Sequence, residues 1–149
     1  VERILPGQDG DGVLVLAVND ANIHNPGYGG KVKLTQDGNS VSYLDGWTDF
    51  RSSVDWLVRI DKPGTFDVYA EVAAEEPAGF LLMANDGQKP LTVKSTGGLQ
   101  TFQTQQIGQL TLPEGESAIR IHPQMSLWNQ IMLRSVTLKL VGQSPPIME

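Results

Sequence analysis

The sequence predicts an all-β protein, a sandwich or barrel formed by one domain. Three observations carry that prediction. Residues 54–73 alternate: Val54, Trp56, Val58 and Ile60 share one side with Asp55 and Arg59 opposite. After Asp61-Lys62-Pro63-Gly64, the residues Phe66, Val68, Ala70 and Val72 repeat the pattern. Two alternating runs around a Pro-Gly turn read as a β-hairpin with one buried face. Second, sixteen glycines and nine prolines are spread along the chain and punctuate short apolar runs, as in sandwiches and barrels. Third, only residues 75–78 hint at a helical turn.

The elements follow in order. Residues 1–12 are polar and Gly-rich and read as a lead-in segment. The apolar run 13–18 is the first strand. Residues 19–30 form a loop carrying Asn22, His24, Asn25 and Tyr28. Short strands at 31–34 and 40–44 flank an Asp37-Gly38-Asn39 turn. A loop at 46–53 contains Trp47, Asp49, Phe50 and Arg51, and the alternating pair follows. Strands at 80–84 and 91–94 flank Asn85-Asp86-Gly87, a strong turn signal. Residues 100–105 and 108–112 are strands, then Pro113-Glu114-Gly115 turns the chain. Residues 117–122 alternate, with Ile119 and Ile121 facing the core. A closing strand at 131–141 buries Val136, Leu138 and Leu140. Residues 143–149, with Pro145-Pro146, read as a tail or linker. The sandwich itself spans 13–142.

Composition narrows the function. A chain of 149 residues buries roughly two-thirds of its unfolded surface, enough to close a core without a disulfide or a metal. There is no cysteine, which excludes a disulfide scaffold and fits a bacterial exported chain or a cytosolic one. The net charge is -6 and the eleven basic residues are scattered, which argues against nucleic acid as a partner. No apolar run reaches membrane-spanning length. No leader is visible at Val1, which fits cytosolic residence, a processed N-terminus or, the reading favoured, a module cut from a longer polypeptide.

From about residue 41 to residue 140 the order and spacing of motifs resemble carbohydrate-binding modules of the galactose-binding-like β-sandwich type. The alternating stretch is similar to their W-x-V-x-V-x-x-x-G-x-Y-x-V segment. Val41-Ser42-Tyr43-Leu44-Asp45 resembles the strand and loop before it. Ser95-Thr96-Gly97-Gly98-Leu99-Gln100-Thr101-Phe102 resembles a Gly-Gly-Trp-Gln-x-Phe segment. Residues 110–121 resemble a late strand pair, and Ser126-Leu127-Trp128-Asn129-Gln130-Ile131-Met132-Leu133 precedes a closing strand. The best comparison is with families 6 and 35 and with domains appended to fucosidases and sulfatases. The resemblance implies a single jelly-roll β-sandwich, galactose-binding-domain-like, that binds an oligo- or polysaccharide among rim loops. It implies a covalently linked catalytic domain, such as a glycoside hydrolase, and an extracellular, periplasmic or cell-surface bacterial location.

Sugar recognition stacks an aromatic face on the apolar side of a ring while polar groups bond the hydroxyls. Tyr43 matches a stacking position of those modules, and Asn129 lies near a position where some carry an amide. Leu99 stands where a second stacking Trp often sits, so Trp47 or Trp128 is expected to take over from a neighbouring loop. Asp49 and Arg51 are the remaining polar candidates. Many members hold a structural calcium with a Glu-x-Glu strand start; Val15-Leu16-Ala17-Val18-Asn19-Asp20 lacks both glutamates, so no calcium or other cofactor is expected there.

Each feature has a plainer reading. Trp56 alternates with core residues and is structural. Trp47, Trp128 and Tyr43 balance between packing and ligand, and Tyr28 leans to packing. Asp9-Gly10-Asp11-Gly12 reads as a turn, since Val13 and Val15 occupy the later ligand positions of a calcium loop. His24 and His122 lack zinc spacing; His24 is placed to bond a hydroxyl, and His122 is structural. There is no Gly-x-Ser-x-Gly and no cysteine nucleophile. Glu75-Glu76 would point to opposite faces rather than across one glycosidic bond. The reading is a non-catalytic, accessory carbohydrate-binding module. The alternative is a structural or protein-docking module of a larger glycan-active enzyme.

Overall fold

Among the described residues the alternating apolar pattern becomes eleven strands in two antiparallel sheets. A computed structural model describes residue 8 and residues 12–25, 32–36, 38, 41–84, 87–124 and 127–143. One sheet contains β1 (Leu14–Ala17), β3 (Lys33–Gln36), β4 (Ser42–Trp47), β6 (Gly64–Ala74), β9 (Gly98–Leu112) and β11 (Ile131–Gln143). Its order is β3-β4-β11-β6-β9, and β1 follows β4 along the same edge of β11. The other contains β2 (Asn22–His24), β5 (Ser53–Ile60), β7 (Ala78–Ala84), β8 (Gly87–Val93) and β10 (Gly115–Pro123), in the order β2-β5-β10-β7-β8.

Alternation places the core between the sheets. Val54, Trp56, Val58 and Ile60 are buried on β5, and Phe66, Val68, Ala70 and Val72 on β6. Ile119 and Ile121 of β10 and Val136 and Leu138 of β11 face them; Leu140 is only partly buried. Trp56 is wholly buried and its indole N–H donates to Ala17 O at 2.8 Å, so a buried polar group is satisfied.

The pairing departs from the sequence reading. β5 and β6 do not form a hairpin: β5 pairs β2 and β10, while β6 pairs β11 and β9. The segment 61–63 instead carries the chain from one sheet to the other. Its backbone groups find a partner outside any ladder. Gln8 Oε1 accepts the N–H groups of Asp61 and Lys62, both at 2.8 Å, and Gln8 Nε2 donates to Lys62 O at 3.0 Å. True hairpins are β3–β4 and β7–β8. Asn85, Asp86, Asp37 and Asn39 of the expected turns lie outside the described residues, as do Asp9, Tyr28 and the tail beyond Gln143.

Four further corrections concern local structure. The expected loop 19–30 contains β2. The two expected strands at 100–105 and 108–112 are one continuous β9. Residues 75–77 form a bend, and the single helical turn among the described residues is the 3-10 turn Val18–Asp20. Trp47 ends β4 rather than lying in a loop.

Candidate functional site

One rim of the sandwich collects the loops of interest. Trp47 pairs with Ile131, Ile131 with Ala74 and Ala74 with Gly98. These pairs align one end of β4, β11, β6 and β9. Loops 48–52, 75–77, 94–97 and the described part of 124–130 therefore share an edge. Side chains tie them together. Thr96 N donates to Ala74 O at 2.8 Å, Ser95 Oγ to Glu75 O at 2.8 Å, and Asn129 Nδ2 to Pro77 O at 2.7 Å.

Three ladder irregularities converge next to this rim on the outer face of the six-stranded sheet. On β4, Asp45 and Gly46 lie between the pairs Leu44–Leu133 and Trp47–Ile131 and oppose Met132 of β11 alone. Gly46 absorbs the extra residue at φ 76°, which favours glycine, with its N–H donated to Asp45 Oδ1 at 2.7 Å. On β11, Arg134 is the extra residue between the pairs Leu133–Val72 and Ser135–Glu71. On β9, Leu99 to Phe102 lie between the pairs Gly98–Ala74 and Gln103–Val72, so four residues face Ala73 alone. Bulges re-aim side chains, and these three bring together residues from strands that are not neighbours.

The product is an aromatic and charged cluster. The rings of Tyr43 and Phe102 meet edge-on, centroids 6.0 Å apart at 64°. The Arg134 guanidinium lies 3.9 Å from the Phe102 centroid, and its Nη1 donates to Glu71 Oε2 at 3.2 Å. Two aromatic platforms with a sugar between them need roughly 7–8 Å, twice a carbon–carbon contact distance. The 6.0 Å spacing therefore admits one-sided stacking only.

The expected site residues separate under this geometry. Tyr43 is half-buried and joins the cluster. Trp47 does not: it is 0 % exposed, its indole N–H donates to Ser52 O at 3.0 Å, and its ring packs 5.1 Å from that of Trp128. A ring without accessible face cannot stack on a ligand, so Trp47 is a core residue. Trp128 is partly buried and donates its N–H to Trp47 O at 3.0 Å. Asn129 is exposed at the lip. Asp49 and Arg51 form a bidentate pair, with Nε to Oδ1 at 3.0 Å and Nη2 to Oδ2 at 2.7 Å. The Arg51 side chain, then its backbone N–H, hold the Asp49 carboxyl below the usual carboxylate range. Phe102, Arg134 and Glu71 escaped the sequence reading as site residues, although Phe102 and Glu71 sat within segments singled out there.

A concavity lies on the outer face of the five-stranded sheet. Asp55, Met83, Ala84, Ala118 and Arg120 line a shallow depression of about 250 Å³. Asp55 accepts from Asn22 Nδ2 and Arg120 Nη2, both at 3.0 Å, and pairs with His24 Nε2 at 2.7 Å. Burial by itself would raise this carboxyl; the bonds from Asn22, Arg120 and His24 outweigh it and hold the group below its usual range. His24 thus meets a carboxylate. No hydroxyl is bonded to its ring among the described residues. None of the lining residues is aromatic, which makes the depression a poorer sugar platform than the rim cluster.

The start of β1 is the segment where the family's calcium would be sought. Leu16 and Val18 are buried and Val15 exposed there, and no carboxylate flanks them before Asp20. Among the described residues no three His, Cys, Asp or Glu side chains gather as a metal cluster. No described helix is long and apolar enough to cross a membrane.

No protein-family model and no curated protein matches the sequence. Solved structures do. A family 35 carbohydrate binding module from Clostridium thermocellum superposes with a TM-score of 0.70 at 14 % identity, covering 87 % of this chain and 98 % of that one. A family 6 module from Clostridium stercorarium, in complex with cellobiose, gives 0.65 at 13 % identity, covering 85 % and 93 %. The GH26-CBM35 mannanase of Podospora anserina gives 0.64 at 20 % identity over 93 % of this chain, which spans only 29 % of that protein. At such identities the likeness establishes the fold: this is the β-sandwich of family 6 and family 35 modules.

Proposed function

We propose that this chain is a non-catalytic carbohydrate-binding module that holds a linked catalytic domain at an oligo- or polysaccharide. The Tyr43–Phe102–Arg134 cluster carries the reading. It offers an aromatic surface beside hydrogen-bonding groups at the bulged edge of a sandwich whose solved neighbours include a module bound to cellobiose and a unit within a mannanase. In this reading Tyr43 is the stacking platform. Phe102 supports it from the side. Asn129, whose amide N–H is given to Pro77 O, presents its carbonyl oxygen to a hydroxyl, with Asp49 and Arg51 as further polar groups of the lip and Trp128 as apolar contact. One-sided stacking and a few hydrogen bonds supply modest affinity, roughly micromolar to millimolar. Linkage to a catalytic domain compensates by raising effective concentration at a polymer. Binding needs no metal, and the module works at the surface of, or outside, a bacterial cell, which suits a chain without cysteine.

A glycan array of the folded protein, with and without chelator, tests this. The expected result is a hit that survives chelator and is lost in Tyr43→Ala. A blank array would favour the docking-module alternative, which has the exposure of Leu127 at the rim, 52 %, on its side.

A further inference from the structure

We infer that Glu71 sets the charge class of the ligand: by holding Arg134, it makes the rim site select uncharged sugars over uronic acids. The inference rests on the carbohydrate reading above.

A guanidinium beside a stacking platform would ordinarily be a fork for a sugar carboxylate, since the planar geometry binds carboxylates in bidentate fashion. Arg134 lies in that position, 3.9 Å over Phe102. Its Nη1 is already bonded to Glu71 Oε2 at 3.2 Å, in a pair whose side chains are 25 % and 40 % exposed. Arg51, the other arginine of the rim, is held by Asp49 through two bonds. Each guanidinium thus has its charge balanced by a carboxylate of the protein. Glu75 and Glu76 stand exposed on loop 75–77 with no ion-pair partner among the described residues. The nearby lysines do not reverse this balance. Lys33 lies opposite Asp45 in register, and Lys94 is an exposed ammonium on a flexible stem, strongly hydrated and screened. A uronic acid entering the site must displace Glu71 from Arg134 and approach a rim that carries Glu75 and Glu76 as well. A neutral ring meets neither cost.

Removing only the charge of Glu71 should unmask the fork, because Phe102 still supports the guanidinium. The experiment compares polymer pairs that differ in sugar oxidation: cello-oligosaccharides with polyglucuronate, mannan with polymannuronate, galactan with polygalacturonate. Calorimetric titration or affinity electrophoresis gives the binding ratio for wild type, Glu71→Gln, and the double variant Glu71→Gln/Arg134→Gln. In the pair that binds, wild type should prefer the neutral polymer about five- to tenfold, the scale of one partly exposed ion pair plus local repulsion. Glu71→Gln should shift that ratio toward the acidic polymer by a similar factor, and the double variant should cancel the shift. Equal or tighter wild-type binding of the acidic polymer overturns the inference while leaving the carbohydrate reading intact, as does an unmoved ratio in Glu71→Gln. Folded wild type that binds no member of any pair overturns the carbohydrate reading and the inference with it.

Discussion

Replacing Trp47 with alanine separates a core role from a ligand role. The side chain is fully buried, donates to Ser52 O at 3.0 Å and packs against Trp128. A buried tryptophan hides ~150–250 Å², which at ~25 cal/mol per Å² is about 4–6 kcal/mol. Measured large-to-small losses of this kind run about 3–5 kcal/mol once partial collapse is included. The change also deprives Ser52 O of its donor and Trp128 of its packing partner. We expect a loss of about 4 kcal/mol from a total of roughly 7–15 kcal/mol for a chain of this length. At roughly 2–4 °C per kcal/mol for a chain of this size, the midpoint should fall by about 8–16 °C. Thermal and urea unfolding followed by far-ultraviolet circular dichroism measures this, since tryptophan fluorescence would itself be altered. Tyr43→Ala is the counterpart: half-buried, with its main ring contact to Phe102, it should cost about 1–2 kcal/mol yet abolish glycan binding. A Trp47→Ala protein within about 1 kcal/mol of wild type that has nevertheless lost its ligand would refute the core assignment.

Further outcomes follow from the same contacts. Asp55→Asn should weaken folding at neutral pH by loosening the bonds to Asn22, His24 and Arg120. Because the folded carboxyl is held below its usual value, this stabilisation is complete above the unfolded value of about 3.9 and is lost as pH falls through the folded one. Urea unfolding of both proteins should therefore show a gap near neutrality that narrows in strong acid; a constant gap would exclude this linkage. Gly79→Ala brings a Cβ to 2.8 Å from Leu127 Cβ, where Gly79 N donates to Leu127 O and Gly79 O accepts from Gln124 N. It should cost about 1–3 kcal/mol and displace the loop bearing Asn129, so that chemical shifts of Leu127 to Asn129 move; unmoved shifts would count against rim coupling. Phe102→Ala should weaken glycan binding less than Tyr43→Ala does, since Phe102 supports the platform rather than forming it. Parallel titrations decide this, and equal losses would make Phe102 a platform as well.

Residues 54–72 show how much was legible. The facing of Val54, Trp56, Phe66 and Val68 followed from alternation alone, because a strand's side chains point to fixed sides whatever strand lies next to it. The resemblance read from the order of Gly-Gly, Pro-Glu-Gly and closing-strand motifs agrees with the fold found by structural comparison. The candidate site was less legible. Tyr43 joined the aromatic cluster, but Trp47, taken for a loop residue, is sealed into the core by Trp128, whose indole reaches Trp47 O from 81 residues away. Such a contact leaves no local trace in either segment.

Period-2 alternation was enough to set the inward facing of Val54, Trp56, Val58 and Ile60 and of Phe66, Val68, Ala70 and Val72, because it rests on short-range geometry along a single strand. The folded sandwich alone reveals which strands pair. It placed β5 and β6 in opposite sheets, a choice that alternation leaves open because both sheets bury their inward sides alike. It also decided the site. Phe102 meets Tyr43 only because four residues of β9 bulge opposite Ala73 and Arg134 bulges from β11. Those are properties of register between distant strands, and register is set by the packing of the whole sandwich.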